Sequence, residues 1–240
     1  MKFVFNDGGR ADAGYKGTTG DCACRAAAIA AQRPYQEVYN LINELAKSER
    51  TGKRKRKVSN ARTGVYPTTM HKVMAHYGFV WVPTMQIGRG CTVHLDANEL
   101  PKGRIVCNVS RHYTAIVDGV LNDTYDCTRD GSRCVYGYYV KSEAALKAEQ
   151  ESKRRAEFVQ KRIAPLLKDA FAGIVKVSYR KDAETSDEYV EITNYNARVV
   201  SFIITGDPLA VIADKAMRNV MSVGGGVNDT LPATRAGNRT

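Results

Sequence analysis

The chain has 240 residues, 43% of them apolar, and a formal net charge of +11. That apolar fraction supports a buried core and excludes a disordered protein, and no stretch reaches the roughly 18–20 uninterrupted apolar residues that a membrane helix needs. The opening MKFVFNDGG turns polar after five residues, too soon for a secretory signal, so an intracellular protein with no membrane partner is expected.

Taken in chain order, residues 3–5 form a short strand, and a glycine-rich approach from Gly8 to Gly20 leads into Asp21-Cys22-Ala23-Cys24-Arg25-Ala26-Ala27-Ala28. Strong helix formers there place Asp21, or the residues just before it, at a helix N-terminus. After Pro34, the residues Val38, Leu41, Ile42 and Leu45 recur at i, i+3, i+4, i+7, the spacing of a helix that buries one face. Six of the eight residues 50–57 are basic and repel one another. With no aromatic residue among them they read as a solvated loop, and contact with nucleic acid is the weaker reading. Tyr66-Pro67-Thr68-Thr69 opens a third helix through Met70, Val73, Met74 and Tyr77, which Gly78 ends.

Five segments rich in β-branched and aromatic residues follow, at 79–83, 105–109, 112–117, 120–125 and 134–139. Helices first and an antiparallel sheet after them define an α+β fold. At Ser142 the composition changes to a charged, alanine-rich helix. We therefore expect a first domain over 1–141, a charged helical linker over 142–162, a small α+β module over 163–222 and a flexible tail over 223–240. The module carries strands near 174–179, 188–193 and 198–204, then a helix entered through Asp207-Pro208.

Cysteine is a nucleophile as its thiolate, which a helix N-terminus favours through its partial positive charge and free N–H groups. Cys22 stands at that position, with Gly17 and Gly20 ahead of it to let a substrate approach the backbone. Cys24 lies about 200° further around the helix, so only one of the two can face a cleft, and Cys22 is preferred. A base is supplied by His112 at the start of a strand that turns at Asp118-Gly119 and doubles back toward Asp126. A two-residue turn pairs Val117 with Val120 and puts Asp123 on the face of His112, whereas a three-residue loop puts Asp126 there. Asp126 is preferred as the acid that orients His112, with Asp123 as the alternative. Cys22-x-Cys24 is too tight for a zinc knuckle, and six cysteines in a chain without a leader are expected to be mostly reduced.

A Cys opening a helix in Gly20-Asp21-Cys22-Ala23-Cys24-Arg25-Ala26, a His on a later strand and an Asp on the returning strand resemble the papain-like superfamily (NlpC/P60, C39-like and transglutaminase-like) over about residues 3–139. The Gly-Asp-Cys-x-x-Arg-Ala and His-x-x-Ala-x-x-Asp-Gly patterns are also similar to uncharacterised proteins of bacteria and their phages. The resemblance implies papain-like helices plus a sheet and a Cys22–His112–Asp126 triad. The implied activity is a peptidase or amidase acting on protein or peptide amides, with transglutaminase-like transfer sharing the same machinery and no metal or organic cofactor. Papain-like peptidases hold a Gln several residues before the Cys. None stands in 15–21, so a backbone amide, Asn6 or Thr18 would have to receive the oxyanion. A location in the cytoplasm or on a phage virion is expected, and a phage or host protein is expected as partner of the C-terminal module, for which the resemblance implies nothing. The reading from a different class is a non-enzymatic virion or adaptor protein that keeps the fold and binds protein or nucleic acid.

Overall fold

In the computed structural model, residues 1–17, 19–51, 57–85, 88–182, 185–221 and the backbone of 226–227 are described. Residues 52–56 of the basic run, Thr18 and almost all of the expected tail lie outside them. The chain divides into two units, 1–146 and 147–240.

The first unit opens with β1 (Lys2–Phe5), followed by α1 (Cys22–Ala31), α2 (Tyr35–Ala46) and α3 (Pro67–His76). It then forms β2 (Phe79–Pro83), β3 (Arg104–Val109), β4 (His112–Val117), β5 (Val120–Asp123) and β6 (Val135–Lys141). The six strands make one sheet in the order β1-β5-β4-β3-β6-β2. The expected α+β layout is present, with one correction: the sheet is mixed. β1 runs parallel to β5, Lys2 beside Val120 and Phe5 beside Asp123. A strand joined to the sheet only through three helices has no hairpin to force it antiparallel.

α1 is built almost entirely of small residues, and Ala23, Cys24, Ala26, Ala27, Ala28 and Ala30 are all buried. Short side chains let its backbone come close to the sheet, where Val106, Tyr113, Ala115 and Tyr139 share its core cluster. The helix ends at Gln32 in the left-handed conformation (φ 54°), whose N–H returns to the carbonyls of Ala28 and Ile29. Pro34 then starts α2, which buries Tyr35, Val38 and Ile42 on one face. A second cluster holds Ile105, Cys107, Ile116, Leu121 and Val135. Each fully buried aliphatic side chain there is worth about 1.5–3 kcal/mol relative to exposure.

Asp118 and Gly119 both have positive φ (50° and 80°), which makes the β4–β5 connection a two-residue turn. It pairs Val117 with Val120 and Ile116 with Leu121. Cys91 and Cys134 form a disulfide, their Cα atoms 5.8 Å apart, which corrects the expectation of reduced thiols for this pair. The backbone bonds Leu95 N–H to Arg133 O (2.7 Å) and Val135 N–H to Val93 O (2.9 Å) bring the two cysteines side by side. Cys22, Cys24, Cys107 and Cys127 are free.

The charged helix α4 (Glu143–Phe158) begins in the first unit and, within the second, continues through a π-helical turn (Val159–Ile163) into α5 (Ala164–Ala170). Pro165 cannot donate a bond and crowds the preceding turn, and the wider turn before it accommodates the ring. β7 (Phe171–Ala172), β8 (Ile174–Lys181), β9 (Glu188–Asn194), β10 (Val199–Ile203), α6 (Leu209–Val220) and β11 (Gly226–Val227) complete it. β8, β9 and β10 form an antiparallel sheet in the order β10-β9-β8. The linker reading of 142–162 needs correction, because Val159 and Ile163 are buried in one core with Leu167, Val190, Ile192 and Ile212. Among the described residues no helix is long and apolar enough to cross a membrane.

Candidate active site

Cys22 is the first residue of α1, and His112 begins β4. In an antiparallel hairpin the start of one strand lies at the same end as the finish of the next, so β5 delivers Asp123 to the end of the sheet where His112 stands. Asp123 Oδ2 lies 2.7 Å from His112 Nε2, and both residues are buried. The carboxylate bonded to His112 is therefore Asp123, and the preference for Asp126 is corrected. The two-residue turn decides it, because a third loop residue would have moved every β5 side chain to the other face. Asp126 instead accepts bonds from the Thr128 N–H (2.9 Å) and hydroxyl (2.7 Å), closing its own turn.

With Nε2 committed to Asp123, His112 stands beside Cys22 on the wall of one cavity, near enough for the imidazole to act on the ionisation of the thiol. Burial alone would push the Cys22 thiol up. The His112 hydrogen bond, the His112 charge, the Tyr113 N–H and the Arg25 charge outweigh it and bring the thiol below its ordinary 9.0. Burial likewise works against a charged His112, yet bonds to Asp123, Cys127 and Cys22 and the Cys22 charge push it up to about 12. Sulfur and imidazole each favour the other's charged form. Cys24 shows what helix position alone does not supply. Fully buried, with its S–H donated to the Tyr35 carbonyl at 3.8 Å, it is pushed by desolvation up to about 12. About one part in 10⁵ is ionised at neutral pH.

A buried ion network fixes the acid. Arg25 Nη1 donates to Asp123 Oδ1 (3.0 Å) and Thr124 Oγ1 (2.7 Å), while Arg25 Nε donates to Asp21 Oδ1 (3.0 Å). Tyr35 donates its hydroxyl to Asp21 Oδ2 (2.8 Å), and Arg10 Nε approaches the same oxygen at 3.0 Å as a charge contact without hydrogen-bond alignment. Asp21 is so fully engaged that it places no side-chain cap on α1, which leaves the first-turn N–H groups beside Cys22 free of that partner. Arg25, Asp21, Tyr35 and Arg10 were not singled out as site residues from the sequence. The signal was present in the i, i+4 spacing of Asp21 and Arg25, an ion-pair spacing inside an otherwise alanine-rich helix.

Cys22 and His112 line a cavity of about 480 Å³, together with Gly20, Arg111 and the segment Thr63-Gly64-Val65. A Cβ at Gly20 would sit 3.2 Å from the Thr63 carbonyl, so glycine is what lets that segment close over the sulfur. Asn6 is not an oxyanion donor here: its amide donates to Asn122 Oδ1 (3.1 Å), and its carbonyl accepts from Gly8 (2.9 Å). Thr19 lines the cavity but donates its hydroxyl to the Arg62 carbonyl. Asn108, also on the wall, was not anticipated.

Among the described residues one group, His112, Asp123 and Cys127, has ligand atoms within 4.8 Å of one another. Sequence spacing does not reveal such a trio. The 2.7 Å contact is that of a hydrogen bond, and the guanidinium of Arg25 on the other carboxylate oxygen opposes a second cation, so the donor set suits proton chemistry better than a metal. The site is thus a cysteine–histidine–carboxylate constellation at the mouth of a helix. No family model, curated protein or solved structure matches the chain.

Proposed function

We propose that the first unit is a papain-like cysteine hydrolase that cleaves amide bonds of a protein or peptide. The observation that carries this reading is His112 bonded to Asp123 at 2.7 Å and lining one cavity with Cys22, with Arg25 behind the acid. The Cys22 thiolate attacks the carbonyl carbon, and the π electrons move to oxygen, toward the Cys22 N–H at the start of α1 and Asn108. Collapse of that intermediate breaks the C–N bond, and His112 gives its proton to the departing amine. Water, deprotonated by the now neutral His112, attacks the thioester, and the sulfur leaves as thiolate. Asp123 holds the imidazole in orientation throughout.

The test is the iodoacetamide labelling of each free thiol, mapped by mass spectrometry. Cys22 is expected to react at pH 7 at least about 10²-fold faster than Cys24, and His112→Ala is expected to slow Cys22 by at least about tenfold while leaving Cys24 unchanged. Equal, sluggish labelling of all four thiols would overturn the reading and leave a non-enzymatic binding protein in its place.

A further inference from the structure

The walls of the cleft carry charge of one sign. Arg111 sits on the rim directly before His112, in the turn between Val109 and His112, with its backbone left-handed at φ 56°. It is exposed and makes no ion pair among the described residues. A second cavity, of about 280 Å³, shares the Thr63-Gly64-Val65 wall and is bounded by Lys57, which is also exposed and unpaired among the described residues. Neither cavity is lined by an aspartate or glutamate among the described residues, although the chain has 25 of them. The acids nearest the sulfur are spent: Asp123 on His112 and Arg25, and Asp21 on Arg25 and Tyr35. Two cations without an ion pair among the described residues thus stand on two cavities that share one wall, the first of which Cys22 also lines, and the field on a ligand bound along that wall is strengthened by its low-dielectric surroundings.

We infer that this groove selects an extended peptide bearing acidic side chains, with one carboxylate beside the bond presented to Cys22 read by Arg111 and another further along read by Lys57. The inference rests on the hydrolase reading and names its substrate class. A nucleic acid would satisfy the cations with phosphates but would bring no amide carbonyl to the sulfur. An acidic peptide brings both. Thr63-Gly64-Val65 lies between the two cations, and a short stretch of extended chain spans such a wall at roughly 3.3–3.6 Å per residue.

The experiment measures protection of Cys22 from iodoacetamide in the full chain. The probes are a peptide of about eight residues with glutamates on both sides of a central amide, the same peptide with glutamines, and an oligodeoxynucleotide of equal charge. The glutamate peptide is expected to half-protect at about tenfold lower concentration than the glutamine peptide, as a charge-assisted contact warrants. That ratio should fall toward one in Arg111→Gln, survive in Arg111→Lys, and shrink as salt is raised from about 0.05 M to 0.5 M. Equal protection by the two peptides, no protection by either, or oligonucleotide protection matching the glutamate peptide would overturn the inference. A Cys22 that labels no faster than Cys24 would instead overturn the hydrolase reading beneath it.

Discussion

Each unit buries an arginine–carboxylate pair, and the two pairs are used differently. In the second unit Arg155 takes both oxygens of Glu188, Nε on Oε2 and Nη2 on Oε1 at 3.0 Å, with Lys181 nearby at 3.7 Å. In the first, Arg25 takes only Oδ1 of Asp123, and Oδ2 goes to His112. Burial works against both carboxylates, and their partners hold both below their ordinary range, chiefly the Arg155 bond for Glu188 and the His112 bond for Asp123. A bidentate pair closes on itself and fastens one helix to one sheet. A split pair leaves one oxygen to aim an imidazole, and the arginine then fixes the direction of that aim.

The largest effect should come from breaking the split pair. Asp123→Ala is expected to lower turnover by about 10²–10⁴-fold, whereas Asp126→Ala should stay within about twofold. The labelling–pH profile supplies the sign. In the wild type the thiolate appears as pH rises through a value below 9.0, and His112 keeps its proton up to about 12, so reactivity rises on the acid side of 9.0 and stays high into alkali. Without Asp123 the imidazolium loses its main support, and the rise moves up toward 9.0. Equal effects of the two substitutions would return the orienting role to an open question between them.

The closed pair is tested through stability. Glu188→Ala leaves Arg155 without its counter-charge and should cost about 2–4 kcal/mol in urea unfolding, while Arg155→Met with Glu188→Leu should recover most of that loss. Glu188 is held below its ordinary 4.5, so its contribution is present above pH 4.5 and is lost as pH falls through the lower folded value. Wild type and Glu188→Gln should therefore converge in acid. A double substitution as unstable as the single one would mean that the pair does more than satisfy buried charge.

What the sequence discloses, and what it withholds, follows the range of the interactions. Local patterns sufficed for the three helices and for the strands: 79–83 and 112–117 are expected and found at the same bounds, and Pro208 caps α6 as Asp207-Pro208 suggests. Cys22 at a helix start and His112 at a strand start were legible because each is marked by its position in one element. The acid was not, since it depends on whether the Asp118-Gly119 loop has two residues or three, and both are compatible with the same letters. The parallel addition of β1, the Cys91–Cys134 bridge and the approach of Cys127 to His112 join residues 43 or fewer to more than 100 positions apart, and no local period records them. The burial of 159 and 163 was masked by the charged composition around them.

The smallest effect separates the inner part of the network from its periphery. Tyr35→Phe removes one hydroxyl from Asp21 Oδ2 and keeps the ring, which packs against Tyr15 and Tyr39 at centroid distances of 5.3 and 6.1 Å. A bond to a charged group is worth about 1.5–3 kcal/mol, and Asp21 keeps both arginines, so a loss near the lower end is expected in urea unfolding. Cys22 labelling should fall by less than about threefold, because Arg25 retains its own bonds to Asp21, Asp123 and Thr124. Were labelling to collapse as far as in Asp123→Ala, the orientation of His112 would depend on the whole chain from Tyr35 inward, and the split pair at Asp123 would no longer suffice to explain the site.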